Sequence, residues 1–174
     1  MFPAFLTRFN YLFSNSTAIS IVEETEMLAY FAVFHALEPG DSCVSARRTF
    51  FSSSYQRTEN CLKKCLIKML ERHSMVFGGM MVRLNIDRNV NFHEGFSEVA
   101  EELFREAVTW SKIVALFAFG ARLGQHCKQA GLDDLRPELA SSLATFAVQR
   151  VAPFVADQGG WVSSALPHPV SSYA

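Results

Sequence analysis

Apolar residues in this chain recur every three or four positions and almost nowhere every second one, which predicts helices and argues against strands. Ile21, Met27, Leu28, Phe31, Val33, Phe34 and Leu37 give one apolar side over Ile19–Leu37, and Glu38-Pro39-Gly40-Asp41 stops it. Glu23, Glu24 and Glu26 favour the first half of that helix through its dipole. Ser42–Gln56 mixes Ser, Arg and Phe without a period and reads as a loop. Leu62, Cys65, Leu66, Met69, Val76, Phe77, Met80 and Met81 form the next stripe, broken at Gly78-Gly79. After the polar connection Asn85–Asn91 comes a helix from Phe92 or Phe96 to Val108, then an apolar helix to Cys127. Gly131–Asp134 makes a turn, and Pro137 suits the first turn of a helix that runs to Arg150. Pro153 starts a short helical turn, Asp157-Gln158-Gly159-Gly160 ends it, and Trp161–Leu166 is read as a last one. Phe2, Phe5, Leu6, Phe9, Leu12 and Phe13 also fall at helical spacing. That stripe is expected to pack onto the protein's own core, with membrane-surface contact or dimerisation as the alternatives.

The expectation is one all-α domain over residues 1–166, without internal repeats, and a polar, Pro-broken tail over 167–174. Within it, Glu101–Gly120 is the most telling stretch. A charged amphipathic segment meets an apolar helix through one polar corner, Thr109-Trp110-Ser111-Lys112. A helix that is apolar all round has to be surrounded by others. Its polar start then lies where the central helix surfaces.

Composition narrows the function classes. At 174 residues the chain suits one well-buried core, and its 49% hydrophobic and 19% charged residues are globular. A net charge of −1 without a Lys/Arg run gives no reason to expect nucleic-acid binding. Cys43, Cys61, Cys65 and Cys127 include no CxxC, and His73 and His126 stand apart, so no metal or cofactor is expected and the thiols read as reduced. The apolar run Ile113–Ala121 is about half of the roughly 20 residues a bilayer needs, so no transmembrane anchor is expected. The N-terminus lacks the order of a signal peptide, which points to the cytoplasm. There is no GxSxG, HExxH, Walker loop or GxGxxG, and Asp133-Asp134 and Glu101-Glu102 read as solvated charge, so an enzyme is not expected.

Glu102-Leu103-Phe104-Arg105 through Phe119-Gly120 resembles the first homology region of the Bcl-2 family of apoptosis regulators, typically ELFRDG-x-NWGR before an apolar helix. Ala156-Asp157-Gln158-Gly159-Gly160-Trp161 resembles the second, and order and separation both fit. Leu62-Lys63-Lys64-Cys65-Leu66-Ile67-Lys68-Met69 aligns with the BH3 pattern L-x-x-x-G-D, with Leu66 in place of Gly and Ile67 in place of Asp. The likeness covers about Ala29–Leu166 and weakens before Leu62.

The resemblance implies a bundle of about eight helices around one apolar central helix. It also implies a surface groove for the amphipathic BH3 helix of pro-death relatives, a helix-in-groove mode. The positions implied for that groove are Met69, His73, Phe77, Met80, Leu84, Val99, Leu103, Thr109, Ser111, Lys112, Val114, Ala115 and Phe119. Trp110, Gly159, Gly160 and Trp161 are implied as structural, the indole of Trp161 covering the end of the central helix. At the corner the family has Asn-Trp-Gly-Arg. Lys112 keeps the charge but loses the bidentate fork, Ser111 adds a side chain at a close approach, and Thr109 offers no amide donor. Weaker or more selective BH3 binding is expected. Leu66 and Ile67 make the chain's own BH3 segment a poor ligand, which favours a pro-survival protein, cytoplasmic or peripheral to mitochondrial or other intracellular membranes. A pore-forming pro-apoptotic effector and a homodimerising module with an occluded groove are the alternatives.

Overall fold

The computed structural model describes residues 16–38, 53–84 and 92–161 of the chain. Its elements are α1 (Ser16–Phe34), α2 (Ser53–Arg72), α3 (Ser74–Leu84), α4 (Phe92–Leu103), α5 (Trp110–Gln129), a 3-10 turn (Asp133–Leu135), α6 (Arg136–Arg150) and α7 (Ala152–Asp157). There is no strand among the described residues. The expected all-α bundle is what the chain forms. The Phe-rich segment 2–13, most of the loop assigned to Ser42–Gln56, the connection Asn85–Asn91, Val162–Leu166 and the tail lie outside the described residues.

The apolar helix is the axis. Ile113, Leu116, Phe117, Phe119, Leu123 and Cys127 of α5 are all buried, and α1, α2, α3, α4 and α6 pack around it. Two glycines set how close the neighbours come. A Cβ on Gly124 would lie 2.2 Å from the carbonyl oxygen of Val33, so α1 crosses α5 in backbone contact. A Cβ on Gly120 would lie 2.6 Å from Leu143 Cδ2 of α6.

Several boundaries differ from the pattern read along the chain. α1 begins at Ser16, so Glu23, Glu24 and Glu26 are well past its first turn and do not act on its dipole. It ends at Phe34 because Arg136, itself buried, holds the end: Nη2 donates to the carbonyls of Val33 (3.0 Å) and Phe34 (3.1 Å), and the guanidinium sits 4.6 Å over the Phe34 ring. Ser53–Gln56 is helical and opens α2. The stripe breaks at the turn of His73 and not at Gly78-Gly79, which lie inside α3. Glycine in a helix costs about 1 kcal/mol without interrupting the hydrogen bonds. The helix expected to reach Val108 ends at Leu103. Phe104 turns inward, 3% exposed, and packs against Phe146 at 5.7 Å. Thr109 is then extended (φ −139°, ψ 157°) as the N-cap of α5.

Candidate functional site

A cavity of about 670 Å³ is bounded by α2, α3, α4 and the first half of α5. Each wall is one stripe of a helix. From α3 and the turn before it come His73, Val76, Phe77, Met80, Arg83 and Leu84, spaced by three, four, seven and more as one helical face requires. From α4 come Gly95, Glu98, Val99, Glu102 and Leu103, and from α5 Ala115, Leu116 and Phe119. Met69 closes the α2 end. Leu116 and Phe119 are buried and make the floor, and Phe119 is stacked on Phe96 at 5.7 Å. Where α3 ends, a Cβ on Gly95 would come within 3.1 Å of Leu84 Cδ2, so the two walls nearly touch.

Met69, His73, Phe77, Met80, Leu84, Val99, Leu103, Ala115 and Phe119 are thus brought together around one space. The remaining expected positions are not on its lining. Val114 is 3% exposed and absent from the lining; its side chain points about 100° round α5 from Ala115 and about 140° from Phe119, into the core. Thr109 Oγ1 accepts from the Lys112 backbone N–H at 3.3 Å, so its side chain caps the helix. Ser111 and Lys112 sit one turn before Ala115 and Leu116 on the same stripe, which puts them at the mouth, past the end of the lining. Lys112 is half-buried, and its ammonium has no carboxylate partner among the described residues.

Val76, Arg83, Gly95, Glu98, Glu102 and Leu116 line the cavity without being among the expected groove positions. The signal that could have found them was geometric. Val76, Arg83, Gly95, Glu102 and Leu116 each lie three or four positions from an expected lining residue on the same helix, and Glu98 lies four from Glu102. Charged residues were read as surface, although a groove rim is where surface and lining meet. The α4 wall is acidic through Glu98 and Glu102, the latter paired with Arg105. Arg83 is the cation on the α3 wall.

The BH3-like segment lies in α2 with Leu62 and Leu66 fully buried, whereas Ile67 is 37% exposed. No group of three or more His, Cys, Asp or Glu among the described residues could hold a metal ion. Burial pushes the Cys65 and Cys127 thiols up to about 11, and Cys65 also faces the neighbouring Cys61, so both stay protonated at neutral pH.

On the far side of α5, Trp161 is 2% exposed and its Nε1–H donates to Thr25 Oγ1 at 2.9 Å. Its ring meets those of Phe117 and Trp110 edge-on, at 5.8 and 6.0 Å. Gly159 (φ 87°) and Gly160 (φ 103°) make the turn that returns the chain to this position. The motif tryptophans therefore tie α1, α5 and α7 together away from the cavity.

Comparison with known proteins bears on this arrangement. The family model for Bcl-2 family apoptosis regulator proteins matches residues 62–161, more than half of the chain. Bcl-2-like protein 1 of Rattus norvegicus is 31% identical over 90 residues, covering 52% of this chain and 38% of the relative. Bcl-2 homologous antagonist/killer of Homo sapiens is 33% identical over 75 residues, covering 42% of this chain and 36% of the relative. The matches thus span well under half of these relatives. A crystal structure of chicken BOK superposes with a TM-score of 0.68 at 18% identity, over 86% of this chain and 96% of that one, a likeness of fold. No helix among the described residues is long and apolar enough to cross a membrane.

Proposed function

The chain belongs to the Bcl-2 family of apoptosis regulators, and on that premise we propose that it restrains cell death by holding the BH3 helices of pro-death relatives in the α2–α5 cavity. The observation that carries this reading is the cavity itself. Its apolar walls come from faces of α3, α4 and α5, and Lys112, one turn before Leu116 of the floor, has no partner carboxylate among the described residues. An amphipathic helix laid there would bury its apolar side against Phe77, Met80, Leu84, Val99 and Leu103 and turn an acidic residue to Lys112. Methionines at positions 69 and 80 adapt to different ligand side chains at low cost.

The state of the chain's own BH3-like segment favours restraint over killing. An effector has to release that segment to engage a neighbour. Here Leu62 and Leu66 are core residues under α5, so release would expose them, and Ile67 puts an apolar group where a ligand helix needs a carboxylate. Relatives of both outcomes share the fold, so the segment and not the architecture supports the choice.

Titration calorimetry with a panel of BH3 peptides tests the reading. Selective binding is expected, with several peptides weak, because Lys112 offers a point charge and no fork. Lys112→Glu is expected to weaken the tight binders at least about tenfold, since it replaces attraction by repulsion at a partly desolvated mouth. Uniform nanomolar affinity across the panel would contradict the selectivity. Absence of all binding, with permeabilisation of liposomes after activation, would assign the effector role instead. Light scattering with and without peptide identifies a homodimer whose groove is occluded.

A further inference from the structure

Glu98 and Glu102 are four residues apart on α4, so they stand one helical turn, about 6 Å, from each other along the same wall. Each precedes an apolar lining residue, Val99 and Leu103. The carboxylates therefore lie about 100° round the helix from those side chains, on the rim and not on the floor. Glu98 has no cationic partner among the described residues. Among the described residues Glu102 is paired only with Arg105, which is itself 71% exposed, and such a surface pair exchanges at little cost. Glu101 points elsewhere, bound to Arg150 of α6 at 3.1 Å. Arg83 is the cation on the α3 wall, and Lys112 lies one helical turn before Leu116 of the floor.

We propose that this acidic rim selects the ligand: the cavity takes amphipathic helices that carry two basic residues one turn apart on the flank facing α4. The proposal rests on the helix-binding reading above and adds the partner's charge pattern to it. When an apolar helix covers the cavity, Glu98 and Glu102 lose part of their water. A Lys or Arg on the ligand compensates that loss, whereas a neutral flank leaves it uncompensated and an acidic one adds repulsion. The rim acts before contact as well, steering basic flanks in and turning acidic ones towards Arg83 and Lys112.

The test uses one BH3 peptide that binds the full chain, made with Lys, Gln or Glu at an i, i+4 pair beside its apolar face, first on one flank and then on the other. On one flank only, the Lys version is expected to bind roughly fivefold tighter than the Gln version at low ionic strength, the gain shrinking as salt is added. Glu98→Lys is expected to reverse that order, and the Glu version is expected to recover affinity for the variant. Glu98→Gln, which abolishes the preference without reversing it, controls for a disturbed α4. Equal affinity of the three versions on both flanks, with binding intact, overturns the proposal while leaving the helix-binding reading in place. If no BH3 peptide binds at all, the helix-binding reading itself falls.

Discussion

Single atoms decide several features of this molecule. The carboxyl of Glu24 is half-buried between α1 and α2, and one of its oxygens has no partner. Burial raises its pKa, against a smaller lowering by the hydrogen bond with Thr58. A raised folded-state value means that its contribution is fully present below the unfolded pKa and is lost as pH rises through the folded one. Glu24→Gln is therefore expected to melt higher than the parent near pH 7, and the gap should close when melts are repeated near or below pH 4.5, the ordinary carboxyl value. The two glycines of α5 make a second contrast. Ala at 124 would press on the Val33 backbone, which cannot swing aside, whereas Ala at 120 meets only the end of the Leu143 side chain. Gly124→Ala is expected to cost on the order of 2–3 kcal/mol, or roughly 5–10 °C of Tm, and Gly120→Ala clearly less.

At the level of elements, α3 differs from the rest. Phe77 is its one buried side chain, while Met75 is 90% and Val82 80% exposed. The helix forms a full wall of the cavity yet buries one ring fully, with Met80, Met81 and Leu84 only partly buried against the core. Phe77→Ala is expected to abolish hydrogen-exchange protection over Ser74–Leu84 while α5 and α6 keep theirs, because few buried contacts remain to hold that segment closed. Equal loss of protection throughout would show instead that α3 is part of the global unfolding unit. The α4–α5 corner is the opposite case. Phe104 is buried against Phe146 on one side of the bend, and Thr109 caps α5 on the other. The boundary between the charged and the apolar helix is thereby fixed from both ends.

At the scale of the whole molecule, one side of α5 holds the bundle together and the other is left open. Trp110, Phe117, Phe154 and Trp161 pack edge-on around the first turns of the central helix, and the Trp161 indole is bonded to Thr25, whose hydroxyl donates in turn to the Ile21 carbonyl at 2.6 Å. Trp161→Phe keeps an aromatic ring but removes the donor and leaves part of the indole's space unfilled. A loss of about 2–4 kcal/mol is expected, roughly 4–16 °C of Tm in a single cooperative transition, read by thermal melts. Ala115, Leu116 and Phe119, on the open side of the same helix, floor the cavity.

The helices and the apolar axis were legible in the chain because a period of 3.6 is a local property, repeated within each segment. The two homology motifs likewise stand in contiguous residues. Most of the expected groove positions share one lining because each belongs to a periodic stripe whose direction the period already sets. What the chain did not disclose depends on contacts between residues far apart in sequence. Arg136 ends α1 from about a hundred positions away, Phe104 breaks its helix by reaching Phe146, and Val114 turns to the core because Ala115 and Phe119 take the side that faces the cavity. The polar corner shows both kinds of information. Its charge and its place at the start of an apolar helix follow from sequence, but only the packed helices turn Thr109 into a cap and set Lys112 one turn before the floor of a cavity with an acidic wall. A cap needs a helix end and a rim needs two walls, and neither exists until separate segments meet.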